Sequence, residues 1–259
     1  PYTCKWCSHG VYGFTHRKRS PLNVVDEVEL LMSRYKPDMV WIADDVFTIN
    51  HKWFQEYFDE MTRRGLNIPF ECITRADRVN EDILQKMAKL GCFRVWYGSE
   101  SGSQRILDAM ARGVTVEEIQ AMTRLAQKYG IEVGLFVMLG YPGETIGDIH
   151  ATIAHLKKTQ ANTFLTTVAY PIKGTSYHKE IEQDIATDLP WEKRTERELR
   201  VRGRQSDAFY WFTERWMTNE VLSDRLSRNG QGRYLDGAAA FAKARVARLG
   251  ATITSSWKS

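Results

Sequence analysis

From residue 23 to residue 175 the hydrophobic pattern switches repeatedly between two periods. Residues 23–35 carry Val24, Val25, Val28, Leu31 and Met32 at helical spacing above an acidic polar face. Pro37 ends that segment. Residues 39–43 are then an unbroken apolar run, as in a parallel strand covered on both faces. The same alternation predicts a helix near 52–64 through Trp53, Tyr57, Phe58 and Met61, and a strand over 70–74. Asn80 is placed to cap a helix through Ile83, Leu84, Met87 and Leu90 that Gly91 closes. A strand over 93–97 follows. Thr115 and Glu118 have capping-box spacing for a helix that Gly130 closes. Residues 133–139 predict a strand, residues near 147–158 a helix, and residues 163–170 a last strand. Helices alternating with strands imply right-handed crossovers and a parallel sheet. No Gly-rich phosphate turn follows the first strand, and polar clusters follow nearly every strand. A barrel or partial barrel therefore fits better than an open doubly wound sheet, with the site at the C-terminal strand ends.

Past Ser176 the alternation stops. Pro190-Trp191 reads as a junction, and residues 191–259 are helical by pattern and rich in Arg and aromatics. The expected division is a barrel over 1–178 and a mainly helical extension over 179–259. Phe209, Phe212 and Trp216 share one helical face, expected to pack on the barrel, with a lid over substrate as the alternative. Lys193, Arg194, Arg197, Arg200, Arg202 and Arg204 are expected on a solvated face.

Composition narrows the class. Hydrophobic residues make up 43% and charged residues 26% of the 259, which marks a globular chain. The net charge of +4 is too small to argue for nucleic acid as a partner. No apolar run is long enough to span a membrane. Four cysteines in so long a chain do not make a disulfide scaffold, so a reducing, cytoplasmic setting is expected. Cys72 and Cys92 lie in or beside apolar strands and read as buried hydrophobes, Cys72 being the one with a possible redox role. His9 reads as a loop residue, and Arg17-Lys18-Arg19 as a charged loop.

The chemistry concentrates at the start, Pro1-Tyr2-Thr3-Cys4-Lys5-Trp6-Cys7. Alone, a Cys-x-x-Cys is also half a zinc site or a redox pair. A further cysteine just ahead of Pro1 would complete three thiolates on one loop, and the chain is read as beginning inside that motif. Three thiolates on one loop leave one iron of a cubane cluster open to another ligand.

Six pieces at successive strand ends carry a resemblance: Pro1-Tyr2-x-Cys4-x-Trp6-Cys7, Asp44-Asp45-x-Phe47-Thr48, Thr74-Arg75-Ala76-Asp77, Gly98-Ser99-Glu100-Ser101-Gly102, Gly140-Tyr141-Pro142-Gly143-Glu144-Thr145 and Lys173-Gly174-Thr175. In this order they resemble the radical S-adenosylmethionine (SAM) superfamily, most of all its cobalamin-binding class of methyltransferases and oxidative cyclases. The resemblance implies an α/β fold, a partial (β/α)6 TIM-like barrel whose first strand precedes this sequence. It implies that Cys4 and Cys7 bind a 4Fe-4S cluster whose open iron takes SAM, which is cleaved to a 5′-deoxyadenosyl radical. Trp6 is then expected against the adenine, and Asp44 or Asp45 at the SAM ammonium. Arg75 is expected at its carboxylate, Glu100 with Ser101 at the ribose, and Gly140 and Gly143 beside the adenine. The bland alternatives are helix capping for Asp44, Asp45 and Glu100, a pair with Asp77 for Arg75, and a plain turn for residues 143–145. The resemblance further implies a small-molecule substrate, an electron donor such as flavodoxin or ferredoxin, and cobalamin through an upstream domain. A tRNA methylthiotransferase is the alternative enzyme, although Cys72 and Cys92 are too few and poorly spaced for a second cluster. A zinc-binding scaffold is the alternative outside catalysis, and the chain holds no further Cys or His pair at zinc spacing.

Overall fold

The computed structural model describes residues 3–8, 17–186, 192, 195, 199–228 and 234–257. Pro1, Tyr2, His9, Gly10, Gly13, the Pro190-Trp191 junction, Lys193, Arg194 and Arg197 lie outside them.

Five parallel strands form one sheet in chain order: β1 (Val40–Ile42), β2 (Phe70–Thr74), β3 (Cys92–Glu100), β4 (Glu132–Leu139) and β5 (Thr163–Val168). The helices between them are α1 (Pro21–Tyr35) before β1, α2 (His51–Arg63), α3 (Glu81–Lys89), α4 (Gln104–Ala109), α5 (Val116–Lys128) and α6 (Ile146–Thr159). Sequential parallel neighbours are what a β/α barrel wall requires. The helix starts follow local chemistry. Asn50 and Asn80 accept from the N–H groups of Trp53 and Ile83 at 2.9 Å. The capping box of Thr115 and Glu118 is present, and Thr145 with Asp148 forms a second one.

Strand side chains divide by parity. Phe70, Cys72, Val95, Tyr97, Val133, Leu135, Val137 and Leu139 join the helices in one core. Trp41, Glu71, Trp96, Gly134, Phe136 and Leu165 lie on the other face, where Trp41 pairs with Glu71, Trp96 with Gly134 and Phe136 with Leu165. There the Trp96 ring lies flat on Gly134, where a Cβ would come within 2.3 Å of it, and stacks on Phe136 at 5.0 Å. Glu71 accepts from Trp96 Nε1 at 2.9 Å, which satisfies the indole beneath the site.

After β5 come α7 (Ser176–Ile181), a short antiparallel pair β6 (Ile185–Ala186) and β7 (Arg200–Val201), then α8 (Asp207–Arg228) and α9 (Tyr234–Thr254). α8 and α9 run antiparallel, with Ser206 meeting Trp257 and Ser223 meeting Gly237. Phe209, Trp216, Met217 and Val221 of α8 are buried in the same core as the sheet, as the aromatic spacing predicts. Gly250 of α9 lets Phe212 approach its backbone, since a Cβ there would lie 2.4 Å from the ring. No helix among the described residues is long and apolar enough to cross a membrane.

Candidate functional site

A pocket of about 170 Å³ opens at the C-terminal ends of β2, β3 and β4. It is lined by Cys4, Trp6, Cys7, Asp45, Arg75, Glu100 and Arg112, with Ile73, Phe136 and Met138 as apolar wall. Residues remote in sequence thus meet where a parallel barrel assembles its chemistry.

The cysteine loop is tied down at several points. Cys7 N–H donates to Cys4 O at 3.2 Å, and this tight turn brings both half-buried thiols to the pocket. Lys5 N–H reaches Met110 O at 3.0 Å, and Lys5 O accepts from Tyr177 N–H at 2.9 Å. Trp6 donates through Nε1 to Tyr170 O at 2.8 Å and meets the Tyr170 ring edge-on at 5.5 Å. The loop is therefore held against the end of β5 and the start of α7.

Two guanidinium groups face Cys4, with Nη1 of Arg75 and Nη1 of Arg112 each 3.6 Å from its Sγ. Arg75 is buried and clasps Asp77, through Nε at 2.7 Å and Nη2 at 3.1 Å. The expected alternative, pairing with Asp77, is therefore realised, and a single nitrogen of Arg75 turns to the sulfur. Arg112 donates to Gly98 O at 2.8 Å and lies 3.6 Å from the Glu100 carboxylate. Its Nε is buried without a hydrogen-bond partner. Arg112 is the residue that sequence reasoning missed. It lies in the loop after a six-residue helix, and only the fold brings it to the cysteines.

Glu100 occupies a left-handed backbone conformation, φ 57°, where the β3–β4 register shifts. Burial pushes its carboxyl up, and Arg112 and Arg75 pull it back towards the charged form. The turn is held from behind. His155 Nε2 lies 3.0 Å from Ser99 Oγ, and its Nδ1 lies 3.2 Å from Gln120 Nε2. Ser101 Oγ lies 3.2 Å from Thr152 Oγ1, which also accepts from Gly102 N–H at 2.9 Å.

The remaining expected residues sit elsewhere. Ser101 is buried on Thr152, behind the pocket rather than on its wall. Asp44 lines a separate cavity of about 530 Å³ with Arg17, Lys18, Arg19 and Trp41. Gly140 and Gly143, at φ 74° and 80°, line a third cavity with Glu144, Arg204 and Tyr210. The Tyr210 hydroxyl fills the space above Gly140, only 2.5 Å from where a Cβ would sit. Asp44, Asp45 and Glu100 do not cap the following helices, whose N-caps are Asn50 and Ser103. Cys72 and Cys92 are buried, and burial pushes the Cys72 thiol well up, which disfavours a reactive thiolate.

The described residues test the fit of an iron–sulfur group. They hold no cluster of three or more His, Cys, Asp or Glu able to bind a metal, so Cys4 and Cys7 supply two ligands at most. Two thiols on one tight turn, with guanidinium N–H groups directed at one sulfur, suit an anionic iron–sulfur cofactor and leave a third thiolate to be supplied.

This parallel half-barrel with paired thiols at its mouth belongs to an enzyme class in which a cluster and a sulfonium cofactor share one pocket. Residues 1–156 match the Radical SAM superfamily, and the chain is a member of it. Members use a 4Fe-4S cluster and SAM. The chain is 30% identical over 198 residues to an uncharacterised methyltransferase of Pyrococcus horikoshii, across 75% of this chain and 43% of that protein. It is 29% identical over 154 residues to the anaerobic magnesium-protoporphyrin IX monomethyl ester cyclase of Rubrivivax gelatinosus, across 59% of this chain and 28% of that one. Its fold matches the radical S-adenosylmethionine methyltransferase TsrM from Kitasatospora setae, solved with cobalamin and a [4Fe-4S] cluster. The TM-score is 0.65 at 20% identity, over 76% of this chain and 43% of TsrM. The chain spans less than half the length of each of these relatives.

Proposed function

We propose that residues 1–178 are the catalytic barrel of a radical SAM enzyme, with residues 179–259 as a helical extension, acting in cobalamin-dependent methyl transfer or oxidative ring closure on a small molecule. The observation that carries this reading is the pocket that unites Cys4, Trp6 and Cys7 with Asp45, Arg75, Glu100 and Arg112 at the strand ends. The two relatives named above, a methyltransferase and a ring-closing cyclase, support the choice of reaction.

When bound, the cluster would supply the electron for reductive cleavage of SAM. Cys4 and Cys7 would hold two of its irons, leaving the third to a further thiolate. Arg75 and Arg112 direct N–H groups at Cys4 Sγ, and such bonds tune a cluster's potential. Arg112 is the better cation for the SAM carboxylate, because its Nε has no hydrogen-bond partner whereas the Nε and Nη2 of Arg75 are both engaged by Asp77. Asp45 would receive the ammonium, Glu100 the ribose hydroxyls, and Trp6 would lie against the adenine. Ser101, Gly140 and Gly143 act through the loops they shape, and Asp44 through the strand end it shares with Asp45. Ile73, Phe136 and Met138 keep water from the reacting carbon. The cobalamin would sit in an upstream domain, and a flavodoxin or ferredoxin would deliver the electron.

The test is anaerobic reconstitution of the protein with its upstream part restored. Expected are a brown protein with about four irons per chain and cleavage of SAM to 5′-deoxyadenosine under dithionite. Arg112→Gln should keep the cluster, shift its potential and weaken SAM binding about tenfold. A colourless, zinc-loaded product, or full cluster content after Cys4→Ala, would overturn the reading.

A further inference from the structure

Glu100 stands where a glycine would fold more easily. Its φ is 57°, and Ser101 N–H closes the turn on Ser99 O at 2.7 Å, two residues back. A three-residue turn with positive φ at its centre is the rare, strained form. It persists only where the surrounding structure over-determines it. Here α6 does so. Asp148, Thr152 and His155 follow at i, i+4 and i+7, so they share one face of that helix, and all three are buried. Ser103 Oγ donates to Asp148 Oδ1 at 2.6 Å, and Gly102 N–H to Thr152 Oγ1 at 2.9 Å. Thr152 Oγ1 also lies 3.2 Å from Ser101 Oγ, and His155 Nε2 lies 3.0 Å from Ser99 Oγ. Gly102 runs so near α6 that a Cβ would come within 2.6 Å of Ala151 O and 2.5 Å of His155 Cβ. Residues 99 and 101–103 thus dock on the helix, while the Glu100 side chain lines the pocket, 3.6 Å from Arg112.

Asp148 holds a second loop as well. Its Oδ2 accepts from Thr145 N–H at 2.8 Å and from Thr145 Oγ1 at 2.6 Å. It also pairs with Arg105, which donates to Gly143 O at 2.9 Å. One carboxylate therefore joins the strand-end loops of β3 and β4. Burying polar side chains costs free energy unless each is bonded, and α6 already packs the core through Ile149, Ile153 and Leu156. The polar stripe beside them serves the turn.

We propose that Asp148, Thr152 and His155 are positioning residues that hold the Glu100 carboxylate on the ribose hydroxyls of SAM. Thr152 is the central one, because it bonds the two residues that follow Glu100. The proposal rests on the reading of Glu100 as the ribose ligand.

The experiment displaces SAM from the cluster-loaded protein, its upstream part restored, with adenosine and with 2′,3′-dideoxyadenosine. The ratio of the two affinities reads the ribose contact. The parent is expected to prefer adenosine about tenfold, and Glu100→Ala to erase that preference. Thr152→Val removes the hydroxyl at little change in volume. It should erase the preference too, with dideoxyadenosine still bound as in the parent and the melting temperature within about 5 °C. Thr152→Ser should restore the preference. In the Glu100→Ala background, Thr152→Val should change neither affinity. A second readout needs no cofactor: before cluster loading, amide exchange at Ser101 and Gly102 should quicken at least about tenfold in Thr152→Val. A preference that survives Thr152→Val, equal weakening of both nucleosides, additive losses in the double variant, or unchanged exchange would overturn the proposal and leave Glu100 at the ribose. A parent without preference, or one whose preference Glu100→Ala leaves intact, would overturn the ribose reading and the proposal with it.

Discussion

At the scale of single residues, the turn around Glu100 depends on groups that never touch the pocket. Its left-handed backbone is set by Ser99, Ser101 and Gly102, which rest on His155, Gln120 and Thr152. Burial lowers the His155 pKa to about 4, so the ring stays neutral near neutrality and keeps one donor and one acceptor. Replacing His155 with Phe strands Ser99 and Gln120 and should cost about 1–3 kcal/mol in urea unfolding. Glu144 behaves in the opposite sense. It accepts from Gly140 N–H at 2.6 Å, its other oxygen is buried without a hydrogen-bond partner, and burial raises its pKa to about 7. An acid raised in the folded state stabilises fully below its unfolded pKa, near 4.5, and loses that contribution as pH rises through about 7. Glu144→Gln should therefore gain up to about 2–3 kcal/mol over the parent above that range and nothing below the lower limit. Equal pH–stability curves for the two proteins would contradict this.

At the scale of elements, helix boundaries were the most legible feature. Asn80, Thr115 and Glu118 cap where their side chains predict, because capping is a bond between a side chain and its own backbone within a few residues. The strand over 70–74 falls as read, and β3 runs three residues further than its apolar run, into the polar strand end. α4 and the β6–β7 pair were not legible. The first has six residues and the second two per strand, too short for any period to show. The β4 glycine at 134 has no turn to make. It is there because Trp96 of the neighbouring strand lies across it, 2.3 Å from where a Cβ would be. Gly134→Val should overpack this layer and lower stability by about 1–3 kcal/mol, read as a fall in melting temperature with the far-UV spectrum retained.

At the scale of the molecule, the helical extension and the sheet share one core. Phe209, Tyr210, Trp216, Met217 and Val221 of α8 are buried within it. At about 1.5–3 kcal/mol for each large buried side chain, their loss is comparable to the whole stability of an ordinary domain, about 5–15 kcal/mol. A chain ending at residue 206 is thus expected to lose cooperative unfolding, measurable by denaturant titration. A truncated chain that unfolds in one sharp step would show that the barrel stands alone.

Read as a string, this protein disclosed its helix–strand rhythm, its parallel sheet and the strand-end pieces of its superfamily, because hydrophobic period, caps and turns act over a few residues at a time. Packing alone selected Arg112, turned Ser101 away from the pocket and set Tyr210 over Gly140. Those outcomes depend on distances between segments tens of residues apart, and no local pattern along the chain carries such distances.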